Sequence, residues 1–161
     1  AHPWFATWEN ALNALEHSSY RTNAAHLDLS PRPTELMSKL PPNRFLNLIS
    51  EDVGLFFEAL ALCPRVKLLL LSGTVTNKYY MFALIRTHAK DYDFKLVENG
   101  SKGGGKAFVS WFELKRGKRT WPVFFCSVGP SARNSHLLPQ RISENHEKLL
   151  SYLNCDCLNN N

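Results

Sequence analysis

Four consecutive leucines, Leu68–Leu71, preceded by Val66 and closed by Ser72-Gly73, constrain this chain more than any other stretch. A run that is apolar at successive positions, rather than at alternate ones, is what a strand needs when both of its faces are covered. Helical patterns flank it. Trp4, Trp8, Ala11, Leu12 and Leu15 share one face of a helix that Pro3 suits at its first turn. Residues 44–62 carry Phe45, Leu46, Leu48, Ile49, Leu55, Phe56, Ala59 and Leu60, which predicts one or two helices stopped by Pro64. Thr74 or Thr76 is placed to cap a further helix reaching about Lys90, with Val75, Tyr79, Phe82 and Ile85 inward. Strands alternating with helices predict an α/β fold, a three-layer α/β/α domain with a mostly parallel central sheet and 66–71 as a central strand.

The remaining elements follow from the same periodicities. Residues 24–29 read as a short buried strand feeding the loop Ser30-Pro31-Arg32-Pro33-Thr34, whose prolines block helix and ladder pairing. Phe94–Val97 predicts a strand, and 106–114 and 120–126 predict a hairpin with the basic tip Lys115-Arg116-Gly117-Lys118-Arg119. Residues 127–141 read as a loop. The last helix is predicted over about 143–153, with His146, Leu149, Leu150 and Leu153 on one face. The 161 residues suit one domain, 1–153, followed by a polar, disordered tail over 154–161. No apolar stretch approaches the ~20 residues that span a bilayer.

Charge is unevenly placed. Residues 86–119 hold nine Lys and Arg against four Asp and Glu, so this segment alone accounts for the +5 of the whole chain. A basic segment of this kind points to a polyanion partner, most often nucleic acid, set against the plain alternative of a solvated surface. The four cysteines, Cys63, Cys126, Cys155 and Cys157, form no pair of zinc-type pairs. Cys126 reads as a buried small hydrophobe, and a reduced, cytoplasmic protein is the simplest account. The six histidines show no HExxH or H-x-x-x-H spacing, and no metal or cofactor is expected.

Two motif-like segments bear on chemistry. Gly100–Lys106 matches G-x-x-x-x-G-K, but Ala107 follows where a phosphate loop needs Ser or Thr, and 107–114 reads as strand rather than helix. A turn presenting Lys102 and Lys106 is the better reading. Gly129-Pro130-Ser131-Ala132-Arg133-Asn134-Ser135-His136 follows a predicted strand, where ligands bind in open α/β sheets. Its Ser131, Arg133 and Asn134, with Arg32 from the earlier loop, are candidate phosphate or groove contacts.

The succession AHLDLSPRPT, then VKLLLLSGTVTNKYY, then VGPSARNS and a final helix resembles the uracil-DNA glycosylase superfamily over about Trp4–Leu153. The resemblance implies a monomeric DNA-binding domain, nucleoid-associated or nuclear, that flips a base and hydrolyses its N-glycosidic bond. Asp28 falls where that family has its base-reading Asn, and an ionised carboxylate only accepts hydrogen bonds. Pro130 and Ser131 match the Pro-Ser of its late DNA-gripping loop, with Arg133 and Asn134 toward the minor groove. Gly129 falls where the family has His or Asn, so His136 or a backbone N–H is required to stabilise the leaving base. The family's water-positioning G-x-D-P or G-x-N-P loop has no counterpart from Ala1 onward and is expected immediately before it. Lys115, Arg116, Lys118 and Arg119 are expected to add non-specific phosphate affinity. Two alternatives stand beside this reading: a nucleic-acid-binding member of the same fold without catalysis, and a small α/β enzyme acting on a phosphorylated metabolite.

Overall fold

The computed structural model describes residues 3–15, 18–26, 41–72, 81–128 and 136–154. Helix α1 spans Pro3–Asn13 and α2 spans Pro42–Leu62. Strand β1, Leu69–Ser72, is followed by α3, Met81–His88, which tightens into a 3₁₀ turn at Ala89–Tyr92. Three strands come next: β2 at Lys95–Lys102, β3 at Val109–Arg116 and β4 at Arg119–Cys126. Helices α4, Leu137–Glu144, and α5, His146–Leu153, are the last described elements. The fold is mixed α/β, and no described helix is long and apolar enough to cross a membrane.

The strands form one four-stranded sheet in the order β1-β4-β3-β2. Only β1 and β4 run parallel, while β4–β3 and β3–β2 are antiparallel. The expectation of a mostly parallel sheet therefore does not hold for the described strands. The cause is connection length. Gly117-Lys118 joins β3 to β4, and a glycine turn joins β2 to β3, and such short links allow only antiparallel neighbours. The expectation of a central strand over 66–71 is corrected as well, since β1 ends the order of the described strands. Its apolar run reports that both of its faces are covered, which says nothing about its place in the order.

Covering of both faces is visible in two apolar clusters. Leu71, Phe112, Leu114, Trp121, Val123 and Phe125 point to one face, against Val53, Phe57 and Leu60 of α2 and Phe82 and Ile85 of α3. Val109, Trp111, Phe124 and Cys126 point to the other, against Trp8 and Ala11 of α1, Leu138 and Ile142 of α4 and Leu149 of α5. Alternate residues of β3 and β4 thus serve opposite faces, as the period of two requires. Gly54 lies in the middle of α2, where glycine costs about 1 kcal/mol relative to alanine. A methyl group there would collide with the Tyr92 ring, which stacks on Phe57 at 5.1 Å, so close packing of the 3₁₀ turn on α2 explains the residue.

Two boundaries differ from expectation for local reasons. Residues 137–141, expected as loop, belong to the helix Leu137–Glu144. Pro139 conceals this in the sequence, yet in a first turn it removes only an N–H that has no intrahelical partner. Strand β2 runs on to Lys102 because a bulge between Glu98 and Gly100 carries the ladder through the glycine. Residues 24–26 are outside any regular element, and the rest of the expected strand over 24–29 lies outside the described residues, as do 73–80 and the tail 155–161.

Cys126 is buried as expected, and burial pushes its thiol up from 9.0 to about 12, against smaller opposing effects of the Val128 backbone and Arg141. The unfolded chain releases this proton near its ordinary pKa, whereas the folded chain holds it to about 12. Above the ordinary value the unfolded state binds fewer protons, so stability falls as pH rises, by up to about 1.4 kcal/mol per unit. Denaturant titrations from pH 9 to pH 12 are expected to show this loss in the wild type, and a shallower one in Cys126→Ala.

Candidate nucleic-acid interface

The sequence-predicted cations do cluster, at the end of the sheet where β4 begins. Lys115 lies directly opposite Lys95, and Arg116 opposite Arg119. Like charges facing across strands are destabilising by some tenths of a kcal/mol each, so the arrangement does not serve the hairpin. Parity in the ladder places Lys115 on the α1/α4/α5 side and Arg116 and Arg119 on the α2 side. The tip is therefore basic on both faces.

Neighbouring groups hold three of these side chains. Glu113 pairs with Lys115 at 2.9 Å. The Arg116 guanidinium lies 5.5 Å from the centre of the Phe94 ring. Arg119 donates to the carbonyl of Ala61 at 3.3 Å, satisfying an orphan acceptor at the end of α2. Lys118 is exposed at the turn. Trp121 fixes the same junction from below, donating through Nε1 to the Cys63 carbonyl at 3.4 Å. Between the end of α2 and the hairpin lies a cleft of about 340 Å³, lined by Ala61, Arg116, Gly117, Lys118, Arg119 and Trp121. Exposed Arg65 follows α2 at this end of the sheet. What the arrangement can do chemically is bind anions: guanidinium and ammonium donors surround an open cleft, with Glu113 as the one carboxylate paired to the tip among the described residues.

The opposite end of the sheet carries the other candidates. Strands β1 and β4 both finish there, with Ser72 beside Cys126. Ser127 donates its backbone N–H to Phe108 and its hydroxyl to the Gly105 carbonyl, which ties the glycine turn to the end of β4. Gly103 holds this turn at φ +75°, and a methyl group there would collide with the carbonyl of Ala107. A 3₁₀ turn at Gly105–Ala107 and then β3 follow, so the G-x-x-x-x-G-K match precedes no helix. Asp28, Arg32, Ser131, Arg133 and Asn134 lie outside the described residues. His136 is exposed at the position preceding α4, where its side chain makes no capping hydrogen bond.

The structure thus gathers Lys115, Arg116, Lys118 and Arg119, and separates them from the end of β4 that leads to His136. The seven residue steps of β4 amount to roughly 23 Å. Sequence reasoning missed Arg65, Lys95 and Trp121 as parts of the basic end. Lys95 was concealed because only register reveals that it faces Lys115. Among the described residues no group of three or more His, Cys, Asp or Glu is placed to hold a metal ion. No family model, curated protein or solved structure matches the chain. The uracil-DNA glycosylase resemblance therefore stands on the short motifs alone.

Proposed function

We propose that this domain binds nucleic acid through the phosphate backbone, with the basic end of the sheet as its contact surface. The observation that carries this reading is that Arg116, Lys118 and Arg119 line one cleft while Lys95 and Lys115 pair at the same end of the sheet, with like charges directly opposite in the ladder. Such contacts position a protein on a duplex or strand without reading sequence. A role on DNA in the cytoplasm, at a nucleoid, or in a nucleus agrees with this.

A second reading is base excision of the uracil-DNA glycosylase kind. It draws on the parallel β1–β4 pair, whose carboxyl ends lead into 73–80 and 129–135, the position at which open α/β sheets bind ligands. In this reading the base pocket takes Asp28, Ser131, Arg133 and Asn134, with His136 beside it, and a mostly parallel three-layer core requires strands beyond those described. Flipping costs a few kcal/mol, which phosphate contacts at the basic end help to offset.

One experiment separates the two. Binding of single- and double-stranded oligonucleotides, with and without uracil, is measured by fluorescence anisotropy at several salt concentrations, alongside release of the base. Log K is expected to fall linearly with log salt for all of them. Release of uracil above the background rate selects base excision. Binding without release selects the non-catalytic reading, and salt-independent or absent binding overturns both.

A further inference from the structure

Leu62 ends α2 at the basic end of the sheet and is 81% exposed, the most exposed of the large apolar side chains among the described residues. A lone exposed leucine is ordinary on a protein surface. Its place distinguishes this one. The four residues Leu62-Cys63-Pro64-Arg65 are all exposed, and so are Arg116, Gly117, Lys118 and Arg119 of the hairpin tip. These two turns are neighbours, because Arg119 donates to the Ala61 carbonyl and Trp121 to that of Cys63. An apolar prominence thus stands beside cations, on the surface assigned to phosphate contacts.

The prominence is also held firmly. The N–H of Cys63 donates to Leu60 at 3.0 Å and that of Val66 to Cys63 at 3.3 Å, so the backbone around Leu62 is pinned locally as well as to β4. Pro64 removes one further backbone freedom. A contact that is rigid before binding loses less entropy on binding. The exposed apolar surface is aliphatic: Phe94 and Trp121 at this end are buried, and Tyr92 is stacked on Phe57. Unpaired strands are bound by stacking of bases on exposed aromatic rings, which this end lacks among the described residues. Leucine and proline beside cations fit instead the wedges that enter between base pairs of a duplex from its minor groove. One leucine is too little apolar surface to hold the chain at a membrane. Glu58, one turn back along α2, is exposed as well, but Arg65, Arg116, Lys118 and Arg119 outweigh it.

We propose that the basic end binds duplex DNA, with Leu62 and Pro64 entering as an apolar wedge at a flexible base step while Arg65 and the hairpin tip hold the flanking phosphates. This rests on the phosphate-backbone reading and adds to it the form of the nucleic acid and its deformation. Pyrimidine–purine steps unstack most easily, so the wedge is expected to favour TA and CA steps.

The test uses a short duplex with 2-aminopurine at a TA step, whose fluorescence rises when the base is unstacked. The wild-type chain is expected to raise it as binding saturates. Leu62→Ala is expected to abolish the rise and to weaken duplex binding by roughly tenfold. Its salt slope is expected to stay that of the wild type, since no charge is lost. Its melting temperature is expected to match as well, because the side chain is exposed. Leu62→Met keeps a wedge and is expected to keep both the rise and the affinity. Salt-dependent binding without the rise, or a Leu62→Ala variant that binds duplex as the wild type does, overturns the wedge and leaves the phosphate reading intact. Binding to single strands as tight as to duplex, or Leu62-dependent binding to phosphatidylserine vesicles in place of duplex, overturns the wedge too. Absence of salt-dependent binding by the wild type overturns the phosphate reading itself, and the wedge with it.

Discussion

Changing Lys115, Arg116, Lys118 and Arg119 together to glutamine is expected to weaken DNA binding and flatten its dependence on salt. Each phosphate neutralised contributes about 0.9 to the slope of log K against log salt, so the slope is expected to fall by roughly 2 to 4. The range reflects how these side chains are held. Lys115 already shares its charge with Glu113, and Arg119 already donates to Ala61. Arg116 and Lys118 have no carboxylate partner among the described residues, and the pair alone is expected to account for a decrease of about 2. Glutamine retains a donor toward the Ala61 carbonyl, so the cost in stability stays near 1 kcal/mol or below. Removing the Arg116–Arg119 repulsion acts in the opposite sense. Anisotropy titrations between 50 and 200 mM salt measure the slope, and an unchanged slope places the nucleic acid elsewhere.

Trp121→Ala is expected to have the largest effect on folding. The side chain is 2% exposed, packs against Phe94 at 5.5 Å and ties β4 to the end of α2 through the Cys63 carbonyl. Truncating a buried Trp costs about 3–5 kcal/mol, where the whole stability of a domain is about 5–15 kcal/mol. The melting temperature is expected to fall by roughly 6–20 °C. Trp121→Phe keeps the ring contact and loses only the hydrogen bond, so its cost is expected near 1 kcal/mol. Because Trp121 also forms the floor of the basic cleft, Trp121→Ala is expected to weaken DNA binding even where the protein remains folded. Urea titrations check the first effect. A loss below about 1 kcal/mol for Trp121→Ala would mean that the junction of α2 and the hairpin tolerates an open cavity.

Much of the local structure was legible in the sequence. The helix over Trp4–Leu15, the helix ending before Pro64 and the hairpin with its basic tip all follow from apolar spacing and turn residues, because those signals act over a few neighbours. Burial of Cys126 and the exclusion of a phosphate loop at Gly100–Lys106 were legible for the same reason. Helix α4 was not, because Pro139 reads as a breaker until its position in the first turn is known.

What the sequence by itself determined is which residues turn inward on each element and where the positive charge lies along the chain. The tertiary structure alone decided the order β1-β4-β3-β2, and with it the place of β1 at the end of the described strands and the antiparallel pairs. A leucine run records that both faces are covered but carries no record of its neighbours, since strand order is set by contacts far apart in sequence. The same holds for charge. Lys95 joins Lys115, and Lys102 joins Lys148, only through pairing of β2 with β3 and packing of α5 on the sheet. Segment 86–119 is one basic stretch in the sequence, and the fold divides it between two ends of the sheet, because an extended hairpin carries its tip and its base roughly 23 Å apart.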